Sequence, residues 1–384
     1  MLFSAPPATP ESEIASRIRA TQQAMNRDGL GVLICFADCW RTANVRYFTD
    51  FRPVDGVHGI AQAVVVVPAQ GEPTLFAGDG CVDYARSETL FDTDVLDGLP
   101  AYLGRWRSKN PDASAGLAGK DQIPVGLYNS ITDALAPTPI VATTLLAEIK
   151  AAKRPWEIDQ LRKAAALTDL AMEAVKDVVQ SRARVTEREI AMAADMAMIA
   201  AGADSPAYLS MVQAGSRSAF SLALPTNKVL EKGDLVLTDI GARYGNYVAD
   251  GGRGFVYGPA STRVREIVET AADAVEAGLA AARPGISASA LNAVIQDVLV
   301  ERGYAQFSGE AMGRGTGHGT GMDPEEELPW IGPTNDMVIA PGSVFTLKAT
   351  INVPGVGGLR TERIVHLSST GLETLDKYPM RNYW

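Results

Sequence analysis

The strongest constraint on the fold is a change of texture near residue 150. Before it, apolar runs of strand length at Val32–Phe36 (VLICF), Ala61–Val67 (AQAVVVV) and Pro73–Ala77 alternate with helix-like segments such as Glu11–Arg27. The stretch Asp121–Asn129 leads into a further small helix. Such alternation builds an α/β domain, with strands gathered in one sheet and helices against it. From Leu146 the chain turns charged and helical, and Pro155 stands where a first helical turn tolerates it. Long helices are expected at Trp156–Ser181, Glu187–Ala201, Arg263–Ala282 and Ser287–Arg302, interleaved with hairpin-like strands rich in Val, Thr and Phe. Grouped hairpins and paired helices are the pattern of an α+β fold. The spacing thus predicts two domains, 1–150 and 151–384.

Composition narrows the function. With 35 basic and 45 acidic residues the net charge is −10, which argues against nucleic acid or an anionic membrane surface as the main partner. A small-molecule substrate is expected instead. The first thirty residues hold no apolar leader, and no stretch of 18 apolar residues occurs, so neither secretion nor membrane spanning is expected. Three cysteines, Cys35, Cys39 and Cys81, cannot make a disulfide framework, and a cytoplasmic protein is expected. The chain has only three histidines, His58, His318 and His366, which rules out a His-rich zinc site.

Two hairpins carry the chemistry. In DLVLTDIGARYGNYVADGGRGFVYG, Gly245 and Asn246 are turn formers between two strand-like runs. A turn centred between Tyr244 and Gly245 sets Asp239 directly opposite Asp250. At about 4 Å such a pair repels by roughly 4 kcal/mol at the effective dielectric of a protein surface. A divalent ion, a Lys or Arg, or a shared proton must compensate. In VFTLKATINVPGVGGLRTERIVHL a loop centred near Gly355 sets Lys348 opposite Glu362, and strand alternation puts Arg360 on the face of Glu362. Taken alone, the Lys-Glu pair would be an ordinary exposed cross-strand contact worth less than about 1 kcal/mol.

Between the hairpins, GRGTGHGTGMDPEEELPW surrounds His318 with Gly315, Gly317, Gly319 and Gly321. Glycine at that density permits close backbone approach and frees the imidazole from cover, which a core histidine does not need. The loop has neither the GxxxxGK[ST] pattern nor the strand-before, helix-after setting of a dinucleotide site.

The order Asp239, Asp250, GxGxGHGxG with His318, Lys348 and Glu362 resembles the pita-bread family of methionine and Xaa-Pro aminopeptidases, prolidase and creatinase. NVRYFTDF (Asn44–Phe51) is similar to a stretch of the creatinase-type N-terminal domain, and LTDIG, YVADGGRGF, GHGTG and GGLRTER follow in family order. The resemblance implies a creatinase-type α/β N-terminal domain and a C-terminal pita-bread domain. It also implies two divalent ions held by Asp, Asp, His, Glu and Glu, with Asp239, Asp250, His318 and Glu362 at four of the five positions. The fifth is Lys348, a donor where an acceptor belongs. A second family histidine is Glu325 here, and an upstream one falls on Leu222.

The resulting expectation is a hydrolase that cleaves a C–N (amide or amidine) bond of a small polar molecule, creatinase-like or ectoine-hydrolase-like, with no cofactor. His318 is the acid/base, Glu362, Glu325 or Glu326 activates water, and Lys348 with Arg360 stabilises negative charge beside Asp239 and Asp250. A single divalent ion on Asp239, Asp250 and Glu362 is the rival reading. Creatinase-like members share their pocket across a homodimer, and Phe51, Arg52 and His58 lie in the comparable region. A lyase, dehydratase or cyclase using the same cluster for proton transfer, or a non-catalytic binding module, are the alternatives.

Overall fold

The computed structural model describes residues 6–56, 59–220 and 222–383. The chain divides into two compact units, residues 7–150 and the chain from Ala151 onward.

The first unit is a six-stranded sheet in the order β4-β3-β2-β1-β5-β6. Its strands are β1 (Leu30–Asp38), β2 (Gln62–Pro68), β3 (Thr74–Ala77), β4 (Asp92–Val95), β5 (Ser114–Ala118) and β6 (Ile140–Ala142). β1 pairs antiparallel with β2 and parallel with β5. Flanked by strands on both edges and buried from Val32 to Ala37, it can be apolar throughout rather than alternating. Its Val32, Ile34 and Phe36 pack with Val64, Val66 and Phe76 in the core. β5 went unrecognised in the sequence because its SAGLA is too small and too short to stand out, and Asp121–Asn129 is loop and the start of the helix Val125–Leu135.

The second unit holds the long helices Pro155–Ser181, Glu187–Ala200, Thr262–Ala281 and Ala288–Glu301, each close to its expected limits. Their starts have local causes. Thr186 and Glu189 form a capping box, the Glu189 N–H donating to the Thr186 hydroxyl and the Thr186 N–H to the Glu189 carboxylate. Ser261 and Ser287 accept the N–H groups of Val264 and Ala290. The helix Thr262–Ala281 buries Val264, Ile267, Val268, Ala271 and Val275, the stripe expected at helical spacing, against a core that includes Leu347, Ile351 and Leu359.

The helices cover three small sheets. One joins β7 (Ser205–Pro206), β10 (Ala242–Tyr244) and β11 (Tyr247–Val248). A second joins β8 (Met211–Ala214), β9 (Leu235–Ile240) and β12 (Gly251–Val256). The third has the order β14-β13-β15-β16-β17, from β13 (Gly317–Gly319), β14 (Glu326–Ile331), β15 (Ser343–Val353), β16 (Gly357–Leu367) and β17 (Leu372–Thr374). In β15 and β16, Lys348 pairs with Glu362 in the predicted register, and Gly355 adopts the left-handed φ of 77° that the connecting turn demands.

The Asp hairpin differs from expectation. Tyr244 pairs with Tyr247, so Gly245 and Asn246 are both turn residues, and Asp239 faces Gly252 rather than Asp250. A two-residue turn slips the register by two positions, which preserves the face because side chains alternate with period two. The aspartates therefore still share a surface, as diagonal neighbours.

Glycines around His318 are required by contact. A Cβ on Gly315, Gly317 or Gly319 would lie 2.1, 2.0 or 2.1 Å from the carbonyl oxygens of Ile331, Thr346 and Leu328. Gly317→Ala should cost about 1–3 kcal/mol through forced backbone displacement. Gly126→Ala, in a helical first turn with nothing within 4 Å, should be neutral or slightly stabilising. Denaturant midpoints of the two variants check the contrast, and equal midpoints would contradict the close-approach account.

Candidate functional site

The site forms where β9, β12, β13, β15 and β16 bring buried polar side chains together. Arg253 on β12 helps to fix its floor. This buried guanidinium donates to the backbone carbonyl of Glu362, to Asp376 and to the carbonyls of Tyr378 and Pro379, tying β16 to the C-terminal segment.

Asp239 is held by two donors. Arg360 bonds one of its oxygens, and the Tyr208 hydroxyl lies 2.6 Å from the other. The same hydroxyl lies 2.5 Å from Asp250 Oδ1. A phenol carries one hydrogen, so both contacts are hydrogen bonds only when one carboxyl is protonated. Burial, with Glu362 and Asp239 nearby, drives the Asp250 carboxyl well above the usual carboxylate range. Asp239 faces the Arg360 guanidinium, so the proton belongs to Asp250. Burial, reinforced by both aspartates, also raises the Tyr208 phenol and keeps it neutral.

His318 is 1% exposed. Its Nδ1 is 3.1 Å from the Gly319 carbonyl, and Nε2 faces Asp250 at 3.4 Å, Glu325 at 3.6 Å and Glu362 at 3.8 Å. Burial first, then Lys348 and Arg360, push its pKa well below the ordinary histidine value, so the ring is neutral. Lys348 is inside the protein, 7% exposed, with Nζ 3.5 Å from Glu362 Oε1. Burial raises the Glu362 pKa, while Lys348 and Arg360 oppose that shift.

Several expected site residues stand elsewhere. Arg360, expected to bind substrate, is buried and committed to Asp239. Glu326 is paired at 2.6 Å with the buried Lys153 and accepts the Met322 N–H, so it anchors its loop rather than facing water. Glu325, by contrast, has a side chain 71% exposed that still reaches the imidazole. Phe51 is fully buried in the first unit, edge-on to Tyr84, and cannot offer its ring to a second molecule. Arg52 borders a cavity of about 330 Å³ with Cys39, Trp40, Asp55 and Tyr84, and His58 lies outside the described residues. Leu222, at the position of the missing family histidine, is exposed.

Sequence reasoning missed Tyr208 and Arg314. Tyr208 comes from the irregular segment before β8, where no pattern marks it. Arg314 is half-buried before the glycine-rich loop, its charge disfavoured by burial and by Arg360 but favoured by Glu325 and Asp239. An arginine beside GTGHG was the available signal.

Residues 17–151 match the creatinase/prolidase N-terminal domain, and residues 159–369 match metallopeptidase family M24. The chain belongs to family M24. It is 31% identical over 234 residues to the Xaa-Pro dipeptidase of Pyrococcus furiosus, covering 61% of this chain and 65% of that one. It is 32% identical over 269 residues to the probable dipeptidase PepE of Mycobacterium bovis, covering 70% and 69%. The crystal structure of dipeptidase PepE from Mycobacterium ulcerans superposes with a TM-score of 0.84 at 25% identity, covering 98% of this chain and 99% of that one. The M24 pita-bread architecture and its creatinase-type N-terminal domain are thus both present.

The M24 name implies metal, and the residues fit it only in part. The ligand atoms of Asp250, His318 and Glu362 lie within 4.8 Å of one another, a donor set suited to one ion. This trio replaces the expected Asp239, Asp250 and Glu362, because both Asp239 oxygens are engaged by Tyr208 and Arg360. The Lys348 ammonium stands 3.5 Å from Glu362 Oε1, beside this same donor set.

Replacing Arg360 by Met should cost about 3–5 kcal/mol, because Asp239 would keep a buried charge without its partner. The lowered His318 pKa means that the unfolded chain binds a proton first, so this stabilisation is complete above about pH 6.5 and is lost as pH falls. The raised Asp250 and Glu362 act oppositely, stabilising at low pH and less as pH rises through their folded values. His318→Gln should therefore remove a loss of up to about 1.4 kcal/mol per pH unit below pH 6.5. Urea midpoints measured from pH 7 to 5 test this, and parallel profiles would contradict it.

Proposed function

We propose that this chain hydrolyses an amide or amidine C–N bond of a small polar molecule without a two-metal centre. The observation that carries the reading is Lys348, an ammonium built into the buried cluster beside Glu362, Asp250 and His318. The names of its relatives, Xaa-Pro dipeptidases, support cleavage of a C–N amide bond.

The chemistry follows from the protonation states. His318 Nε2, as a lone pair, takes a proton from water as the oxygen attacks the carbonyl or amidine carbon. Glu325, 3.6 Å from that nitrogen, steadies the imidazolium that forms. Asp250, protonated in the free site, delivers its proton to the leaving nitrogen as the C–N bond breaks. Lys348 stabilises negative charge on the tetrahedral intermediate and opposes protonation of Glu362. Asp239, Tyr208 and Arg360 hold Asp250 in position. His318 then returns its proton to Asp250, closing the cycle.

The resemblance to creatinase-like members extends the proposal to a homodimer with a shared pocket, for which Arg52 is the remaining described candidate. A neutral buried imidazole would also serve an elimination, so product analysis in ¹⁸O water is decisive: hydrolysis places the label in the product and elimination does not.

His318→Ala should lower kcat by at least about 100-fold. Lys348→Glu should bind Mn²⁺ in calorimetry, having restored the carboxylate the second ion needs. A panel of Xaa-Pro dipeptides, guanidino acids and N-acyl amino acids identifies the substrate. Full turnover in His318→Ala, or Mn²⁺-dependent turnover in the parent, would sink the mechanism.

A further inference from the structure

The first unit carries a cavity of its own, just after the end of β1. Its volume of about 330 Å³ stands at the lower end of the roughly 300–1,000 Å³ range of small-molecule pockets. Its walls are apolar and open to water: Trp40 is 65% exposed and Tyr84 45% exposed, with Val54 beside them. Single exposed apolar side chains are ordinary on a protein surface, but three around one concavity offer a seat for a flat apolar body.

These walls are fixed by their own local contacts. The Asp38 carboxylate accepts the N–H groups of Trp40 at 2.8 Å and of Arg41 at 2.6 Å, and the Arg41 guanidinium returns to it at 3.1 Å. That turn holds the backbone presenting the indole. Tyr84, on the helix Val82–Ser87, stands edge-on to the buried Phe51 ring at 5.3 Å. The Phe51 N–H donates to the Thr49 hydroxyl, which anchors the start of the segment that carries Arg52 and Asp55. Walls ordered in advance reduce the entropy lost on binding.

Two opposite charges border the same cavity. Burial, then Asp55 and Asp38, raise the Cys39 pKa and Arg52 opposes them, so the thiol is neutral and both Arg52 and Asp55 lie close to it. Yet Arg52 and Asp55 do not pair with each other, and neither side chain makes a hydrogen bond or ion pair with another described residue. A guanidinium open to a carboxylate and a carboxylate open to N–H donors, on one apolar cavity, match a zwitterion with a ring. We propose that this cavity binds a free α-amino acid with an aromatic side chain, its carboxylate on Arg52, its ammonium on Asp55 and its ring against Trp40 and Tyr84. All of these groups belong to one chain, so the site is complete without a second copy. The inference stands independently of the hydrolase reading.

Calorimetry on the full chain tests this with L-phenylalanine, with 3-phenylpropionate, which lacks the ammonium, and with phenethylamine, which lacks the carboxylate. L-Phenylalanine should bind the parent, and each single-charge analogue should bind at least about tenfold more weakly. Trp40→Ala, Arg52→Gln and Asp55→Asn should each weaken L-phenylalanine binding at least about tenfold. Arg52→Gln should leave phenethylamine unaffected, and Asp55→Asn should leave 3-phenylpropionate unaffected. None of the three side chains is buried, so the melting temperature of the free protein should not move. His318→Ala should bind L-phenylalanine as the parent does. No binding of L-phenylalanine, equal binding of all three compounds, or unchanged affinity in any of the three cavity variants would overturn the proposal. So would loss of binding in His318→Ala, which would put the ligand at the buried cluster of the second unit, and so would a change from dimer to monomer in Trp40→Ala, which would make this face a contact between copies.

Discussion

A lysine and a glutamate facing each other inside a buried hairpin set the terms for the rest of the site. At the Lys348–Glu362 separation of 3.5 Å the attraction is on the order of 5 kcal/mol at an effective dielectric of 20. Neither group can leave without stranding the other's charge, which makes the pair more costly to break than to lose as a unit. After burial, Lys348 adds to the lowering of the nearby imidazole's pKa and works against protonation of Glu362 and Asp250. One ammonium therefore bears on the proton affinity of three neighbours whose shifts burial dominates.

The aspartates form a second layer that depends on this first one. Asp239 is fixed by Arg360, and Tyr208 joins it to Asp250 through short contacts that require a proton on one carboxyl. The result sets a protonated aspartate beside a neutral imidazole with its lone pair turned inward. Titratable groups pushed apart in this way can serve as acid and base at the same pH. The exposed Glu325 at the rim is the only one of the site's carboxylates free to follow a ligand.

The sequence and the structure agree most where local rules suffice. Helix limits followed from Thr186, Ser261 and Ser287 as caps and from the apolar stripe of Thr262–Ala281. The Lys348–Glu362 register followed from one turn in an unbroken pair of strands. The Asp239–Asp250 register did not, because Gly245 and Asn246 are both central turn residues and the turn sits one position later than the one read from the sequence. Glu325 and Glu326 are adjacent in one acidic run, yet one reaches the imidazole and the other is buried on Lys153, a difference no charge pattern contains.

The sequence alone determined the two-domain plan, the family to which the chain belongs, and the pairing of Lys348 with Glu362. These are properties of residue order and of contacts close along the chain. Only the tertiary structure decided that Tyr208 bridges the aspartates, that Arg360 is a partner of Asp239 rather than an open substrate contact, and that Phe51 is core. Each of these depends on groups far apart in sequence being desolvated together, and desolvation sets both which hydrogen bonds must form and which protons must stay.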